Sequence, residues 1–277
     1  MDLAEAGLTV VRAPGSWPGL GLRELWKYRS ICLVLAKRNL MVRYRQTIIG
    51  VSWSLIQPIA LMLLFTVFFG VLARLPTSGL AFPVFFYLGL MPFQMVAKIL
   101  NEGSMSVTGN APLVTRVYFP RAYFPISIAL ASLIDLLLSS IALVILLVIY
   151  QVVPGVQLVA VPLLVGIAWI TALGVAFWLS ALNVAYRDVT QLLPFLSQLW
   201  MFGSPIIYPS TLVPEAFRLF YFLNPIAIVV EGFRWAVANA PAPPLEAWVV
   251  SGAMAALLLV SGYLFFRRRE PYFADII

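Results

Sequence analysis

The sequence predicts an all-α integral membrane protein: six transmembrane helices, an N-terminal amphipathic interface helix and an external re-entrant helical hairpin. Two observations carry that class. Charged residues make up only 10% of the chain against 62% hydrophobic ones, and the charges stand in clusters. Between the clusters lie six apolar blocks, each near or above the roughly 20 residues a helix needs to cross a bilayer core. No charge occurs from Gln46 to Ala73 or from Leu75 to Ala97.

The first 21 residues are polar, contain Gly and Pro and carry little charge, unlike a cleavable secretory signal. The first span is therefore expected to be retained, with residues 1–20 as a tail. Residues 21–46 read as an amphipathic helix on the cytoplasmic surface. Leu22, Leu25, Trp26, Leu33, Ala36, Leu40 and Tyr44 form one apolar stripe at helical spacing, and Arg23, Lys27, Arg38 and Arg45 lie away from it. A basic helix of this kind sits at the headgroup boundary. The stripe is imperfect, because Arg29 intrudes while Ile31 and Leu35 fall outside it. It serves either as a plain anchor or as a docking element for a partner.

Residues 47–277 form the transmembrane domain. The apolar runs place spans over 48–73, 82–102, 122–150, 158–183, 190–208 and 247–266. An even count puts both termini on one side. Fourteen basic residues share one face: eight from Arg12 to Arg45, then Arg116, Arg121, Arg187 and Arg267 to Arg269. The other face has only Arg74, Arg218 and Arg234, while Lys98 sits within the second span near its inner end. The positive-inside rule makes both termini cytoplasmic. The net charge of +7 is then a membrane signature and calls for no nucleic acid.

The 38 residues from Pro209 to Glu246 are too apolar for an ordinary external loop. Pro214–Leu223 and Pro225–Val237 each read as a short helix with Pro at the first turn, and Asn224 is placed to cap the second. Glu215 with Arg218 and Glu231 with Arg234 are spaced to pair on helix faces. A hairpin over 209–240 that dips into the outer leaflet fits both helices, each too short to cross.

Several chemistries are excluded. The chain has no histidine and a single cysteine, Cys32, so it holds no histidine-based triad, His metal site, His proton relay or intrachain disulfide. No lysine stands in a G-x-x-x-x-G-K-[ST] phosphate loop, so the chain does not hydrolyse ATP by itself. Asp135 is the one ionisable group near the middle of a span, flanked by Ser132 and Ser139 on the same helix face. It reads either as a pathway-lining or proton-carrying group, or as a carboxyl tied to the neighbouring hydroxyls that packs helices, with no basic partner in another span. Lys98 and Glu102 are four apart and expected to pair, at the mouth of a pathway or merely where the span leaves the hydrocarbon. Aromatics such as Trp53, Phe65, Phe93 and Tyr208 belong to interfacial belts and packing, or line a pore in which ring faces slide past sugar faces.

Several segments in order carry a resemblance. Arg43-Tyr44-Arg45-Gln46-Thr47-Ile48-Ile49-Gly50-Val51-Ser52-Trp53 with Gln57-Pro58 resembles the entry to the first span in permease subunits of type-two ABC transporters. Asn110-Ala111-Pro112-Leu113-Val114-Thr115-Arg116-Val117-Tyr118-Phe119-Pro120-Arg121 resembles the coupling segment of the branch that exports lipid-linked polysaccharides. Leu182-Asn183-Val184-Ala185-Tyr186-Arg187-Asp188-Val189, Ser204-Pro205-Ile206-Ile207-Tyr208-Pro209, Leu223-Asn224-Pro225, Glu231-Gly232-Phe233-Arg234 and the closing Phe273-Ala274-Asp275-Ile276-Ile277 continue it. The likeness is to O-antigen and teichoic-acid exporters; capsule exporters usually depart from the Val-Tyr-Phe-Pro-Arg run.

The resemblance implies a half-transporter in the bacterial inner membrane. Two copies pair, and each docks one ATPase subunit that carries the ATP and Mg; this chain holds no cofactor of its own. The substrate would be a lipid-linked polysaccharide moved outward. The coupling segment, 103–121, would meet the ATPase through Asn110, Leu113, Arg116, Tyr118, Phe119 and Arg121, with Arg187 and Asp188 beside it. The channel would run between the copies, with Trp53, Phe65, Phe93, Asp135 and Tyr208 as wall candidates. The external hairpin, with Glu215, Arg218, Glu231 and Arg234, would close its outer mouth. The alternatives are a capsule polysaccharide exporter permease, an ion-coupled secondary transporter, which would want several intramembrane carboxylates or inverted repeats, and a membrane enzyme acting on lipids, which would need a nucleophile–base or metal constellation.

Overall fold

The computed structural model describes residues 21–44 and 52–277. The tail 1–20, the predicted helix end at 45–46 and the first-span motif through residue 51 lie outside the described residues. Every regular element among those described is helical. Among the described residues, five helices are long and apolar enough to cross a membrane: Trp53–Leu72, Phe82–Met105, Tyr123–Ile149, Val156–Ala185 and Leu245–Ile276.

At one end of the bundle lie α1 (Leu22–Lys27) and α2 (Arg29–Tyr44), so the single predicted interface helix is broken at Tyr28. Its buried face also differs from the predicted stripe. Ala36 of the stripe is buried, but so are Cys32 and Leu35 outside it, whereas Trp26 and Leu33 of the stripe are 71% and 64% exposed. The tertiary partner decides this: α2 packs on α6 (Tyr123–Ile149). Asn39 donates to the Ser127 hydroxyl at 3.0 Å, and the Tyr123 hydroxyl donates to the Leu25 carbonyl.

The first long helix, α3 (Trp53–Phe65), contains Pro58 and continues as a π-helical turn over Thr66–Leu72. The Thr66 hydroxyl donates to the Met62 carbonyl at 2.7 Å, a back-bond that competes with regular helix. Only 17% of its most apolar window is buried. The opposite extreme is α4 (Phe82–Met105), started by Pro83 at its first turn. Its window is 78% buried, with Val84, Phe86, Tyr87, Leu88, Ile99 and Leu100 all at 0% exposure. It is the central post, touched by α3 and its π-helical turn, by α6 and α7 (Val161–Ala185), and by two further helices toward the far end of the chain.

Against α7 runs α11 (Leu245–Arg269). They cross where two glycines meet: a Cβ on Gly262 would fall 2.1 Å from the Gly174 carbonyl oxygen, and one on Gly174 would fall 2.5 Å from the Leu258 backbone. Small residues at such crossings let backbones approach.

The predicted fifth span, 190–208, folds as α8 (Val189–Phe202) followed by a turn. At 1.5 Å per residue its 14 residues reach about 21 Å, short of the roughly 30 Å hydrocarbon core. Next come α9 (Glu215–Tyr221) and α10 (Pro225–Ala238), the two short helices predicted for the hairpin. Asn224 caps α10: its Oδ1 accepts from the Ile226 N–H at 3.1 Å and from Trp200 Nε1 at 2.8 Å. The first half of α10 is wholly enclosed, with Ile226 to Val230 at 0% exposure among α4, α7 and α11. The second helix of the predicted hairpin is thus covered by protein along its first half. The chain ends in a foot, Glu270–Tyr272 and α12 (Phe273–Ile276), folded against α5 (Ala111–Arg116).

Candidate functional site

The basic end gathers the loop after α4, the start of α6, the α7–α8 turn and the terminal foot. Within it α5 is one short helix with Pro112 in its first turn and Arg116 in its last. Beyond it the chain extends at Val117, whose φ and ψ are −128° and 131°. Tyr118 is 66% exposed and Val117 50%, whereas Phe119 is 6% exposed and packs on Phe124 at a ring distance of 5.3 Å. Arg116, Arg187 and Asp188 are exposed, and Leu113 is half-buried.

Two other residues of the predicted docking set are engaged within the chain. Asn110 accepts from Arg38 and donates to the Ser106 carbonyl at 2.7 Å. The Arg121 backbone N–H donates to Glu270 Oε1 at 2.6 Å, and its guanidinium reaches the carbonyls of Glu270 and of Val114. Of the predicted set, Arg116, Tyr118, Arg187 and Asp188 are therefore the exposed members, with Val117 exposed beside them. Phe119, Arg121 and Asn110 support them from behind. The motif residue Asn183 pins the α7–α8 turn: its amide donates to Ser104 O and Thr108 Oγ1, and its carbonyl accepts from Thr190. Beside α5 a cleft of about 400 Å³ is lined by Thr108, Asn183, Arg187 and the terminal Ile277.

Above this end, Gln94, Lys98, Asn101 and Glu102 follow one another at helical spacing on the one side of α4 that is not fully buried. They make a polar strip up an otherwise enclosed helix. A cavity of about 300 Å³ lies against it, walled by Ser54, Gln57 and Pro58 of α3 and by Asp135 and Ser139 of α6. Lys98 Nζ stands 2.7 Å from Asp135 Oδ2. This corrects the expectation that Asp135 lacks a basic partner in another helix. Its neighbours Ser132 and Ser139 donate instead to the carbonyls of Ala129 and Ser54. Asn101 reaches α8 by donating to Ser197 Oγ at 2.8 Å. Asp135 lies twelve residues along α6 from Tyr123, about 18 Å from the basic end. A charge at that depth is tolerated only when paired or hydrated, and this one has both a partner and a polar cavity.

The aromatic wall candidates divide. Trp53 is 52% exposed, and Tyr208 is half-buried with its hydroxyl donating to the Phe202 carbonyl at 3.0 Å. Phe65 and Phe93 lie in the interior at 8% and 4% exposure. Phe65 stacks on Phe86 at 4.8 Å, so both rings serve packing within one chain. The surfaces that do face outward beside the strip are apolar flanks: Ile56, Leu63 and Leu64 on α3, and Leu192, Phe195 and Leu199 on α8.

At the far end Arg234 is 1% exposed. Its guanidinium donates to the Phe85 and Ile206 carbonyls at 3.2 and 2.9 Å and lies 3.4 Å from the centre of the Phe85 ring. Glu231 stands 3.5 Å from it and accepts from the Ser210 N–H at 2.8 Å. The second predicted pair, Glu215 with Arg218, is present at 3.8 Å and exposed. Arg234 is thus the post that ties α10 to α4 and to the turn after α8.

Comparison with known proteins agrees with this architecture. The O-antigen export system permease protein RfbA of Myxococcus xanthus is 29% identical over 258 residues, covering 92% of this chain and 98% of that protein. A protein of the same name from Klebsiella pneumoniae is 25% identical over 249 residues, covering 90% and 95%. The polysialic acid transport protein KpsM of Escherichia coli is 25% identical over 206 residues, covering 72% and 78%. The profile of the ABC-2 type transporter family matches residues 31–237, from the surface helix through the Arg234 post. The chain therefore belongs to the ABC-2 type transporter family, as a membrane permease subunit.

Proposed function

We propose that this chain is the permease of an ABC exporter for a lipid-linked polysaccharide, of O-antigen or teichoic-acid type, in the bacterial inner membrane. The observation that carries this reading is the polar strip Gln94–Glu102 on the central helix, reached between two apolar flanks. One chain encloses too little space for a polymer. Two copies meeting on α3 and α8 would set their strips opposite each other as the lower wall of a channel. Contacts along such a path have to be weak and repeated for the polymer to keep moving, as in conducting pores. Relatives named as O-antigen export permeases, matched over nearly their whole length, support the substrate class. The test is reconstitution with an ABC ATPase and ATP-dependent appearance of lipid-linked glycan on the far side of the bilayer. Export that persists without the ATPase and collapses with the proton gradient would select the ion-coupled rival, for which Lys98 and Asp135 are the available charges.

In this reading the basic end is cytoplasmic and docks one ATPase per copy, which supplies ATP and Mg. A reporter fused after Ile277 should read cytoplasmic, and reporters near Pro76 and Pro241 external; the reverse at any site overturns the orientation. Tyr118→Ala should leave the permease in the membrane while ATPase co-purification and export fall by about tenfold, the effect of losing an interfacial aromatic anchor. Phe119→Ala is a different experiment: it empties a buried site and should destabilise the protein by about 3–5 kcal/mol. Tyr118→Ala with wild-type export would remove the docking face from the model of coupling.

Cysteine scanning maps the pathway. Burial pushes the Cys32 thiol up to about 11, so it stays protonated and unreactive and Cys32→Ala gives a quiet background. Cysteines at Gln94 and Trp53 should react with water-soluble thiol reagents in the active complex. Those at Phe65 and Phe93 should not, and labelling that spares Gln94 would displace the channel from the strip.

A further inference from the structure

The terminal foot is joined to the docking segment by charge. Glu270, 8% exposed, receives the Arg121 backbone N–H on one carboxylate oxygen at 2.6 Å and Arg267 Nη1 on the other at 2.7 Å. The Arg121 guanidinium spans the Glu270 and Val114 carbonyls, so it also binds the end of α5. Arg267 stands 3.7 Å from Glu24 of α1. Phe273, 1% exposed, packs edge-on against Phe266 at 5.2 Å and holds the foot to α11. One buried carboxylate thus joins three elements far apart in sequence: the docking segment, the last span and the surface helix. The exposed docking residue Tyr118 feels the same cluster. Burial raises its hydroxyl pKa first, the Glu24 and Glu270 carboxylates raise it further, and Arg267 opposes them.

Paired buried charges contribute little net stability compared with apolar packing, and their best-attested use is to fix a register. Here the register is that of α5 against α11 and α1. We propose that Glu270 is the positioning residue of the coupling segment: through Arg121 and Arg267 it transmits displacement of α5 by the ATPase to the last span and the surface helix. The proposal rests on the docking reading above. Glu270 touches neither ATPase nor glycan; it acts through the two arginines. Docking is left to Tyr118 and its exposed neighbours, and transmission to the carboxylate behind them.

The experiment uses the full-length permease with its ABC ATPase in proteoliposomes. It reads ATPase co-purification and ATP hydrolysed per lipid-linked glycan exported. Glu270→Gln keeps the side chain's shape and an acceptor for the Arg121 N–H while removing the charge that holds Arg267. The ATPase should stay bound, and ATP used per glycan should rise by about tenfold, within the usual range of coupling between sites. Arg121→Lys, which keeps the charge but loses the fork that spans two carbonyls, should do the same. Glu270→Ala with Arg121→Ala should be no worse than the more damaging single change, because both cut one link. An unchanged ratio in Glu270→Gln and Arg121→Lys, or losses that multiply in the double variant, would overturn the proposal. So would loss of the ATPase from Glu270→Gln, which would make Glu270 part of the docking surface. Tyr118→Ala separates the two levels. If it stays bound and coupled, the docking reading itself fails; if it loses the ATPase while Glu270→Gln remains coupled, only the transmission role fails.

Discussion

Asp135→Ala and Lys98→Met are each expected to remove most of the permease from the membrane. Each single change removes the counter-charge of a pair held inside the bundle, and breaking a buried pair from one side costs about 3–5 kcal/mol. The pair qualifies: its N–O distance is 2.7 Å and the side chains are 22% and 10% exposed. The double variant Lys98→Met/Asp135→Leu removes both charges and fills the site with apolar volume. It should recover wild-type accumulation, because matched apolar replacement of a buried pair is neutral or stabilising. Its export should still stay below about a tenth of wild type, a barrier change of about 1.4 kcal/mol. The reason is hydration. Ser54, Gln57, Gln94 and Ser139 line the same cavity, and the charges keep that polar space open to water beside the strip. A stable double variant that exports normally would reduce the pair to helix packing. Single variants that accumulate normally would show that each charge is solvated alone.

Much of the scaffold was legible because span length and apolarity are properties of short stretches. The readings 82–102, 122–150, 158–183 and 247–266 meet helices Phe82–Met105, Tyr123–Ile149, Val161–Ala185 and Leu245–Arg269. The Asn224 cap and the spacing of Glu231 with Arg234 are equally local, and both were readable. Contacts between helices were not. Lys98 has Glu102 one turn away on its own helix, and nothing in a one-dimensional pattern favours Asp135, which meets it only once α4 and α6 pack. One signal was present: both charges lie within spans, displaced from the basic end in the same direction. Direction around a helix failed for the same reason. On α2 apolar residues stand on several sides, and α6 rather than the helix's own moment decides that Leu35 turns in and Leu33 out. Among the aromatics, composition separates neither Phe93, inside the bundle, from Trp53, on its surface, nor packing from pathway. Glu270 was invisible as a site because only Arg267 is local to it: Arg121 lies 149 residues away in sequence, and Glu24 joins the cluster only through Arg267.

Arg234→Met is expected to lower the melting midpoint of the purified permease by on the order of 10 °C, the shift that about 3–5 kcal/mol produces in a protein of this size. Arg234 is a single side chain with several obligations. It satisfies two backbone carbonyls, of Phe85 and Ile206, where α4 meets the turn after α8. Its positive face lies on the Phe85 ring, a contact worth more when desolvated. It also neutralises Glu231, which in turn holds the Ser210 N–H. Methionine fills the volume but leaves two buried carbonyls and a half-buried carboxylate without their donor, and each orphaned group carries its own desolvation penalty. Arg234→Lys retains the charge, but one ammonium cannot reproduce a planar fork aimed at separate carbonyls and stacked on a ring, so it should recover only part of the loss. Arg218→Ala is the internal control. Its partner Glu215 is 90% exposed at 3.8 Å, and exposed pairs of that geometry contribute almost nothing, so the midpoint should not move. Equal shifts for Arg234→Met and Arg218→Ala would mean that the hairpin is held by its apolar face alone, and that the buried guanidinium is not what fastens α10 to the central helix.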